Sequence, residues 1–300
     1  TDGGVTWTGW LSRSAWSSVA SSADGTRFVA AEYGGQLYVS TDGGVVWTAS
    51  EDKRFWKSVA SSADGTRLVA AAGLDQLYTS ADGGISWTSR ESNRQWWSVA
   101  SSADGTRLVA ADRGGQLYTS EDSGVTWTAR ESDRDWISVA SSNDGTRLVA
   151  AVHGGQLYTA TDDGINWTPR ESNRGWVSVA SSADGTRLVA AVNGGQLYTS
   201  TDGGITWTAR ERNRNWWSVA SSADGKRLVA GVFGGQLYTS TDGGATWVAE
   251  DSNRTWFSVA SSADGKSLLA ADSYGFLYTT QLSGVYGTVD ANADNIISLS

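Results

Sequence analysis

The fold is decided by a stretch at residues 96–134, WWSVASSADGTRLVAADRGGQLYTSEDSGVTWTARESDR. Four short strands are predicted in it, SVASS, RLVAA, QLYTS and VTWTAR, separated by the turns ADGT, DRGG and EDSG. Asp-Gly pairs are typical of tight hairpin turns, and no segment has the length or the period of a helix. The stretch therefore predicts one antiparallel unit of four strands.

This unit recurs along the chain with a spacing of 40 residues. Its first strand is marked by a valine in each copy: Val19, Val59, Val99, Val139, Val179, Val219 and Val259. Four-stranded units of about 40 residues are typical of propeller blades, which bury both faces of each sheet against their neighbours. A linear solenoid, the alternative, needs polar caps at its ends, and none is evident. We predict an all-β, seven-bladed β-propeller of four-stranded blades.

The two ends of the chain predict how the ring closes. The last unit ends in QLSGVYGT, where Leu282 replaces the usual Asp and Gly287 the usual Trp, whereas the opening TDGGVTWT is an intact fourth strand. We predict that the N-terminal strand closes the last blade of a single propeller at 1–280, and that 281–300 is a C-terminal tail with a degenerate outer strand. In the alternative, the tail fills its own blade and the N-terminal strand is donated to a neighbouring chain, which assembles filaments.

The composition limits the partners of this chain. The 300 residues carry a formal net charge of -9, which disfavours an anionic partner, so we predict no nucleic-acid binding. No apolar run is long enough to span a bilayer, and we predict no membrane insertion. Because cysteine is absent, disulfides and thiolate metal sites are excluded.

A motif of the form Ser-x-Asp-x-Gly-x-x-Trp, as in Ser40, Asp42, Gly44 and Trp47, recurs with the unit. Its aspartates are Asp2, Asp42, Asp82, Asp122, Asp162, Asp202 and Asp242. Asp accepts hydrogen bonds from amides of its own turn and Gly adopts positive φ, so we predict that these aspartates brace turns and hold no metal. The motif resembles the Asp-box, or BNR repeat, of sialidases, photosystem II assembly factors, sortilin-type receptors and many secreted propellers. This resemblance implies an extracellular or cell-surface location.

The sialidase catalytic residues are not recognisable in this chain. Those enzymes need a triad of arginines, a Tyr with a neighbouring Glu, and an Asp acid/base, each unique, whereas the arginines and internal tyrosines here recur with the repeat. The one histidine, His153, falls in a predicted loop tip, and paired carboxylates such as Glu51 and Asp52 are adjacent and loop-borne. We therefore predict that the chain is not an enzyme and has no cofactor.

A second recurring set precedes the first strand of six units. It consists of Arg-x-Trp with an upstream Glu in three units: Arg54, Trp56, Arg94, Trp96, Arg134, Trp136, Arg174, Trp176, Arg214, Trp216, Arg254, Trp256, Glu91, Glu131 and Glu171. Some propeller lectins bind sugars with such residues, because the indole stacks on a pyranose while Arg and Glu bind its hydroxyls. Alternatively, the Trp packs between blades and the Arg pairs with Glu or stacks on the ring. Both interpretations are open for this candidate binding set.

Two further sets of positions differ in nearly every unit while the framework is constant. One follows the Trp that precedes the first strand: Ser17, Lys57, Trp97, Ile137, Val177, Trp217 and Phe257. The other follows the second strand: Glu32-Tyr33, 72–75, Asp112-Arg113, Val152-His153, Val192-Asn193, Val232-Phe233 and 272–274. We expect both sets on the face opposite the Asp-boxes. The variation indicates either a surface shaped for a partner or drift at exposed loops.

These patterns together favour a binding function. We predict a non-catalytic binding or scaffold propeller, extracellular, that presents one loop face to a protein or glycan partner, or to neighbouring subunits through its terminal strands. The alternative is a multivalent carbohydrate-binding lectin with Trp/Arg/Glu sites between its blades.

Overall fold

A computed structural model of the chain describes residues 6–250 and 252–281. Within these ranges the regular structure is entirely β-strand, and no helix is long and apolar enough to cross a membrane. The strands are β1 (Thr6–Ser21), β2 (Phe28–Ser40), β3 (Thr48–Ser61), β4 (Leu68–Ser80), β5 (Thr88–Ser101), β6 (Leu108–Asp112), β7 (Leu117–Ser120), β8 (Thr128–Arg130), β9 (Trp136–Ser141), β10 (Leu148–Val152), β11 (Leu157–Ala160), β12 (Thr168–Arg170), β13 (Trp176–Ser181), β14 (Leu188–Ser200), β15 (Thr208–Ser221), β16 (Leu228–Gly235), β17 (Leu237–Ser240), β18 (Val248–Ala249), β19 (Arg254–Ser261) and β20 (Leu268–Gln281).

Antiparallel pairing arranges these strands as four-stranded blades, as the sequence predicts. The fourth unit is the simplest case, because β9, β10, β11 and β12 pair in that order and form a sheet of their own. In four places the last strand of one blade and the first strand of the next merge into one long strand, namely β1, β3, β5 and β15. In β15, Thr208–Arg210 pairs with β14 and Trp216–Ser221 pairs with β16. Between the sixth and seventh units β18 and β19 are separate, and β16 pairs directly with β19. The merged strands and this pair link the other blades into one continuous path.

The fourth strand of a blade begins later than the sequence predicts. The prediction starts it at Val125 in the third unit, whereas β8 starts at Thr128. The intervening residues belong to the turn, because the Thr126 amide donates to the Asp122 carboxylate at 2.8 Å and not to a neighbouring strand. The first three residues of the predicted strand, 125–127, therefore belong to the Asp-box turn.

The N-terminal segment pairs with the last unit of the same chain. Residues 6–10 at the start of β1 run antiparallel to 277–281 at the end of β20, and Trp10 Nε1 donates to Thr279 Oγ1 at 2.9 Å. The same β1 continues as the first strand of the first unit and pairs there with β2. Asp2 and the predicted tail at 281–300, except for Gln281 in β20, lie outside the described residues.

The hydrophobic core lies between successive blades. Val69 and Leu77 of the second unit pack with Trp96, Val99 and Leu108 of the third, and equivalent clusters recur along the chain. The second strand of each blade is buried on both faces, so its residues show no alternation of burial. Small alanines at these positions let neighbouring sheets approach closely while the large indoles fill the remaining space.

Two series of hydrogen bonds join the first strands and first turns of adjacent blades. In one, a Val amide donates to a Ser Oγ of the neighbouring unit at 3.0 to 3.1 Å, and Val19 and Ser258 join the first unit to the last in this way. In the other, a first-turn amide donates to the equivalent carbonyl of the next unit at 2.7 to 2.8 Å, and Ala263 donates to Ala23. Both series thus include a bond between the two ends of the chain.

Candidate functional site

A cavity of about 530 Å³ opens at one end of the first strands. Its lining draws on both variable sets: Ser17, Lys57, Trp97, Ile137, Val177, Trp217 and Phe257, together with Tyr33, Arg113, His153, Asn193, Ser273 and Tyr274. The expectation that the two sets approach one face is therefore confirmed. The invariant serines next to the first set, such as Ser58 and Ser218, complete the wall.

The Asp-boxes lie at the opposite end of the blades. In the third unit, Arg113 comes before strand β7 and Asp122 comes after it, so the two residues lie at opposite ends of one strand. The Asp-box turn instead contacts the first turn of its blade, where the Ser123 amide donates to the Thr106 carbonyl at 2.9 Å. The constant turns and the variable cavity thus occupy different faces of the molecule.

One side of the cavity is built around two cations and two aromatic rings. Lys57 Nζ lies 4.4 Å from the centre of the Tyr33 ring and 4.3 Å from that of Trp97, and Arg113 Cζ lies 4.4 Å from the same Trp97 ring. Cation–π attraction holds these groups together. Burial, and then the nearby Arg113 guanidinium, lower the pKa of the Lys57 ammonium below its usual range.

A different part of the wall is aromatic and uncharged. Trp217 contacts both Phe233 and Phe257, with ring centres 5.3 Å apart in each pair and tilted rings. Ile137 and Val177 of the fourth and fifth units extend the apolar lining. The cavity therefore has a cationic arc from the second and third units and an aromatic arc from the sixth and seventh.

The six Asp-box aspartates that the structure describes accept hydrogen bonds within their own turns. Asp42 Oδ1 accepts from the amides of Val45 at 3.0 Å and Val46 at 2.9 Å and from the Ser40 hydroxyl at 2.8 Å. The turn is completed by Trp47, whose Nε1 donates to the Gly44 carbonyl at 2.8 Å. Equivalent bonds recur at Asp82, Asp122, Asp202 and Asp242, and Asp162 accepts from Asn166 instead.

These hydrogen bonds also stabilise the charged form of the carboxylates. The hydroxyl and the amide of Ser86 lower the pKa of Asp82 to about 2, and Thr246 does the same for Asp242. Among the described residues, no group of three His, Asp or Glu side chains is arranged to hold a metal ion. The arrangement is that of a turn brace.

The tryptophans of the Arg-x-Trp set lie in the core. Trp56, Trp96, Trp136, Trp176, Trp216 and Trp256 are each 0% exposed. Each indole meets a tyrosine of its own unit edge to face, with ring centres 5.1 to 5.3 Å apart, as in Trp96 and Tyr118. A buried indole offers no face on which a sugar can stack, and the glycan-binding role of this set stays an untested prediction.

The arginines of the same set are brought together with glutamates and with those tyrosines. Arg94 pairs with Glu91 at 3.5 Å, and its Cζ lies 4.7 Å from the centre of the Tyr118 ring. Arg134 with Glu131, and Arg174 with Glu171, repeat this geometry. Arg54, Arg214 and Arg254 lie over Tyr78, Tyr238 and Tyr278. Six units therefore contain a stack of Arg, Tyr and Trp, and among the described residues the first unit pairs only Trp16 with Tyr38.

Sequence reasoning named the cavity residues as variable positions but did not choose them as the site. The signal was present, because Lys57, Trp97 and Trp217 depart from the repeat where the framework does not. The sequence does not show which of these residues contact one another, because Lys57 contacts Tyr33 of the preceding unit and Trp97 of the following unit.

Comparisons with known proteins define the class. The BNR/Asp-box repeat matches residues 198–209, and the structure is similar to YCF48 from Cyanidioschyzon merolae at a TM-score of 0.74 and 17% identity, over 93% of this chain and 99% of that one. The chain thus has the fold of a β-propeller and carries a BNR/Asp-box repeat at 198–209, which confirms the resemblance predicted from sequence. No curated protein sequence matches it.

Two further similar structures differ in function. One is a YCF48 bound to D1 peptide, at a TM-score of 0.72 and 17% identity, over 92% of this chain and 96% of that one. The other is the GH74 xyloglucanase from Xanthomonas campestris, at a TM-score of 0.74 and 17% identity, over 92% of this chain. This chain spans only 53% of that enzyme. At such identities the likeness concerns the fold alone.

Proposed function

We propose that this chain is a non-catalytic binding propeller whose cavity face binds a segment of a protein partner. The observation that carries the proposal is the concentration of variable residues on one cavity, Lys57 and Trp97 among them, within a nearly invariant framework. Drift at exposed loop tips does not account for half-buried residues such as Lys57 and Trp217. Pockets of roughly 300–1,000 Å³ with apolar walls and few polar groups are typical binding sites.

The proposal includes a closed ring of seven blades. Two observations support it: the pairing of 6–10 with 277–281, and the two series of inter-blade bonds that both connect the last unit to the first. A closed ring brings the variable residues of all units to one axis, which a solenoid does not. Closure is thus what makes a single cavity out of seven loops.

The absence of carboxylates from the cavity supports a non-catalytic role. No Asp or Glu is among the described residues that line it, whereas most glycoside hydrolases use two carboxyl groups flanking the bond that breaks. His153 reaches the cavity, but it is exposed, and its ring Nδ1 lies 3.4 Å from the Trp176 carbonyl. Among the described residues no serine hydroxyl and no carboxylate is hydrogen-bonded to this imidazole, and an imidazole without such a partner is a poor catalytic group.

A protein segment is favoured over a glycan as the ligand. The structure of a YCF48 bound to D1 peptide supports peptide recognition by a propeller of this shape. The inter-blade indoles needed by the lectin hypothesis are buried. The multivalent lectin, the extracellular or cell-surface location and self-assembly through the terminal strands stay predictions.

The test is selection of peptides from a random library displayed with either free N- or free C-termini. The cavity variant Lys57→Val/Trp97→Val/Trp217→Val takes the residue of the fifth unit, Val177, at each position. The matched control, Ile85→Thr/Ile165→Thr/Ile205→Thr, changes exposed residues of the Asp-box turns instead. We expect the selected peptides to bind the wild type and the control but not the cavity variant. We also expect mass spectrometry to show that the bound peptides remain intact. Enrichment independent of the cavity, or cleavage of bound peptides, would overturn the proposal.

A further inference from the structure

The charge of the cavity is opposite to that of the chain as a whole. The formal net charge is -9, yet the ionisable side chains at the wall include Lys57 and Arg113 and no Asp or Glu among the described residues. The repeat does not explain these two cations, because the equivalent positions of the other units carry no Lys or Arg. A local cationic patch in an acidic protein raises the concentration of anions at that place.

The two cations differ in how their charge is balanced. Arg113 Nε donates to Asp135 Oδ1 at 2.7 Å, and its Nη2 reaches Asp135 Oδ2 at 3.5 Å. Lys57 has no carboxylate within ion-pair distance among the described residues, and it is held between the rings of Tyr33 and Trp97. The ammonium is therefore not balanced by a carboxylate, and burial and the neighbouring Arg113 lower its pKa. An arriving anion would meet that ammonium in a partly desolvated site, where charge attraction is stronger than in water.

The aromatic arc provides a second, different kind of contact. In the proposed ring of seven, the sixth and seventh units lie across the cavity from the second and third. Trp217 and Phe257 line the cavity there, and Trp217 also contacts Phe233, which is 41% exposed. Aromatic surfaces of this kind gain from covering another apolar group. A ligand that contacts both the cationic arc and the aromatic arc needs an anionic group and an apolar group close together.

We propose that the cavity selects a carboxylate adjacent to an aromatic or aliphatic group, with the carboxylate at Lys57 and the apolar group against Trp217 and Phe257. The C-terminal residue of a peptide has this chemistry, and so does a small aromatic acid. This inference rests on the proposed binding function and specifies the ligand of that same cavity. A volume of about 530 Å³ accommodates a chain end and excludes a folded domain.

The test compares three probes by titration calorimetry. N-acetyl-Gly-Gly-Phe with a free carboxylate is compared with its C-terminal amide and with 3-phenylpropionate, and the acid and amide forms of the best selected peptide are compared in the same way. We expect each acid to bind roughly tenfold or more tightly than its amide, because charged hydrogen bonds are worth about that much. Lys57→Met should abolish this preference, whereas the control Lys53→Met, at an exposed position outside the cavity, should retain it.

The outcomes separate this inference from the binding function. Equal affinity of acid and amide, or a preference that survives Lys57→Met, overturns the carboxylate selectivity and leaves cavity binding intact. If neither the probes nor the selected peptides depend on the cavity residues, both proposals are overturned. Binding of 3-phenylpropionate as tight as that of the peptide acid supports a small organic acid as the source of the carboxylate. Weaker binding of 3-phenylpropionate supports a peptide end.

Discussion

The amide of Ala263 donates a hydrogen bond of 2.8 Å to the carbonyl of Ala23, and so joins the first turn of the last unit to that of the first. The same bond links each unit to the next along the chain. An interaction between residues 240 positions apart is formed only when the ends of the chain meet. Stability should therefore depend on the short segment that brings them together, residues 6–10 of β1.

Deleting residues 1–10 should strongly destabilise the protein. The deletion removes Trp7, which contacts Trp256, and Trp10, which is bonded to Thr279. We expect the free energy of unfolding to fall by more than about 3 kcal/mol, as for loss of a large packed side chain. The measurement is urea unfolding, with and without a synthetic peptide of residues 1–12 as the rescue control. A truncated monomer that keeps full stability would contradict the closed ring, and loss of a polymer on deletion would favour strand donation.

Two adjacent tryptophans should respond differently to removal. Trp96→Ala should lower the free energy of unfolding by about 3–5 kcal/mol, because this indole is 0% exposed and its loss leaves a cavity. Trp97→Ala removes a half-buried ring from the cavity wall, so it should cost less than about 1.5 kcal/mol and weaken acid binding. Thermal melts and calorimetry on both variants check this. Wild-type acid binding by Trp97→Ala would count against the assigned cavity.

The two glycines of the first complete Asp-box should not be equivalent. Both have positive φ, but a Cβ on Gly44 would lie 2.9 Å from Thr279 Cγ2, whereas no atom lies within 4 Å of one on Gly43. Gly43→Ala should cost about 1–2 kcal/mol for its backbone conformation alone. Gly44→Ala should cost about 1–3 kcal/mol more through overpacking against the last unit. Equal losses of stability in denaturant titrations would show that Gly44 is not pressed against Thr279.

Stability should decrease in acid below about pH 4. Hydrogen bonds from Ser86 hold the pKa of Asp82 at about 2 in the folded chain, and those from Ser102 and Thr106 do so for Asp104, below the ordinary value of 3.8. A lowered folded-state pKa contributes stability above the unfolded value and loses it as pH falls towards 2. Melting temperatures of the wild type and Asp82→Asn, measured from pH 7 to 2, should therefore converge. A difference that is independent of pH would mean that the charge of Asp82 contributes nothing.

Much of the fold was predictable because its signals are local and repeated. The Asp-Gly turns and the 40-residue repeat predict four-stranded blades, and the structure confirms them. The start of β8 was predicted three residues early, because the Asp122 carboxylate competes for the amide of Thr126. Sequence periodicity gives no measure of that competition. The bonds from Val amides to Ser oxygens were not predicted, since an invariant serine carries no sign of its acceptor role.

The chemistry of the site was less predictable than its place. Equivalent residues of adjacent units are neighbours in a ring, which is why the variable positions could be assigned to one face. The pairing of Lys57 with Trp97, and of Trp217 with Phe257, depends on side-chain length and orientation across two blades. Burial of the Arg-x-Trp indoles likewise depends on the spacing between sheets. A repeated Trp beside an Arg is compatible with either a sugar site or a core stack.

The cavity as the binding site is tested most directly by photocrosslinking from opposite faces. A benzoylphenylalanine replaces Asn193, which is exposed at the cavity, or Ile205, which is 63% exposed in an Asp-box turn. Each protein is irradiated with the peptide acid that binds most tightly, and the crosslinked residues are mapped by mass spectrometry. We expect a peptide adduct at position 193 and none at position 205. An adduct at 205, or none at 193 despite measured binding, would contradict the cavity as the binding site.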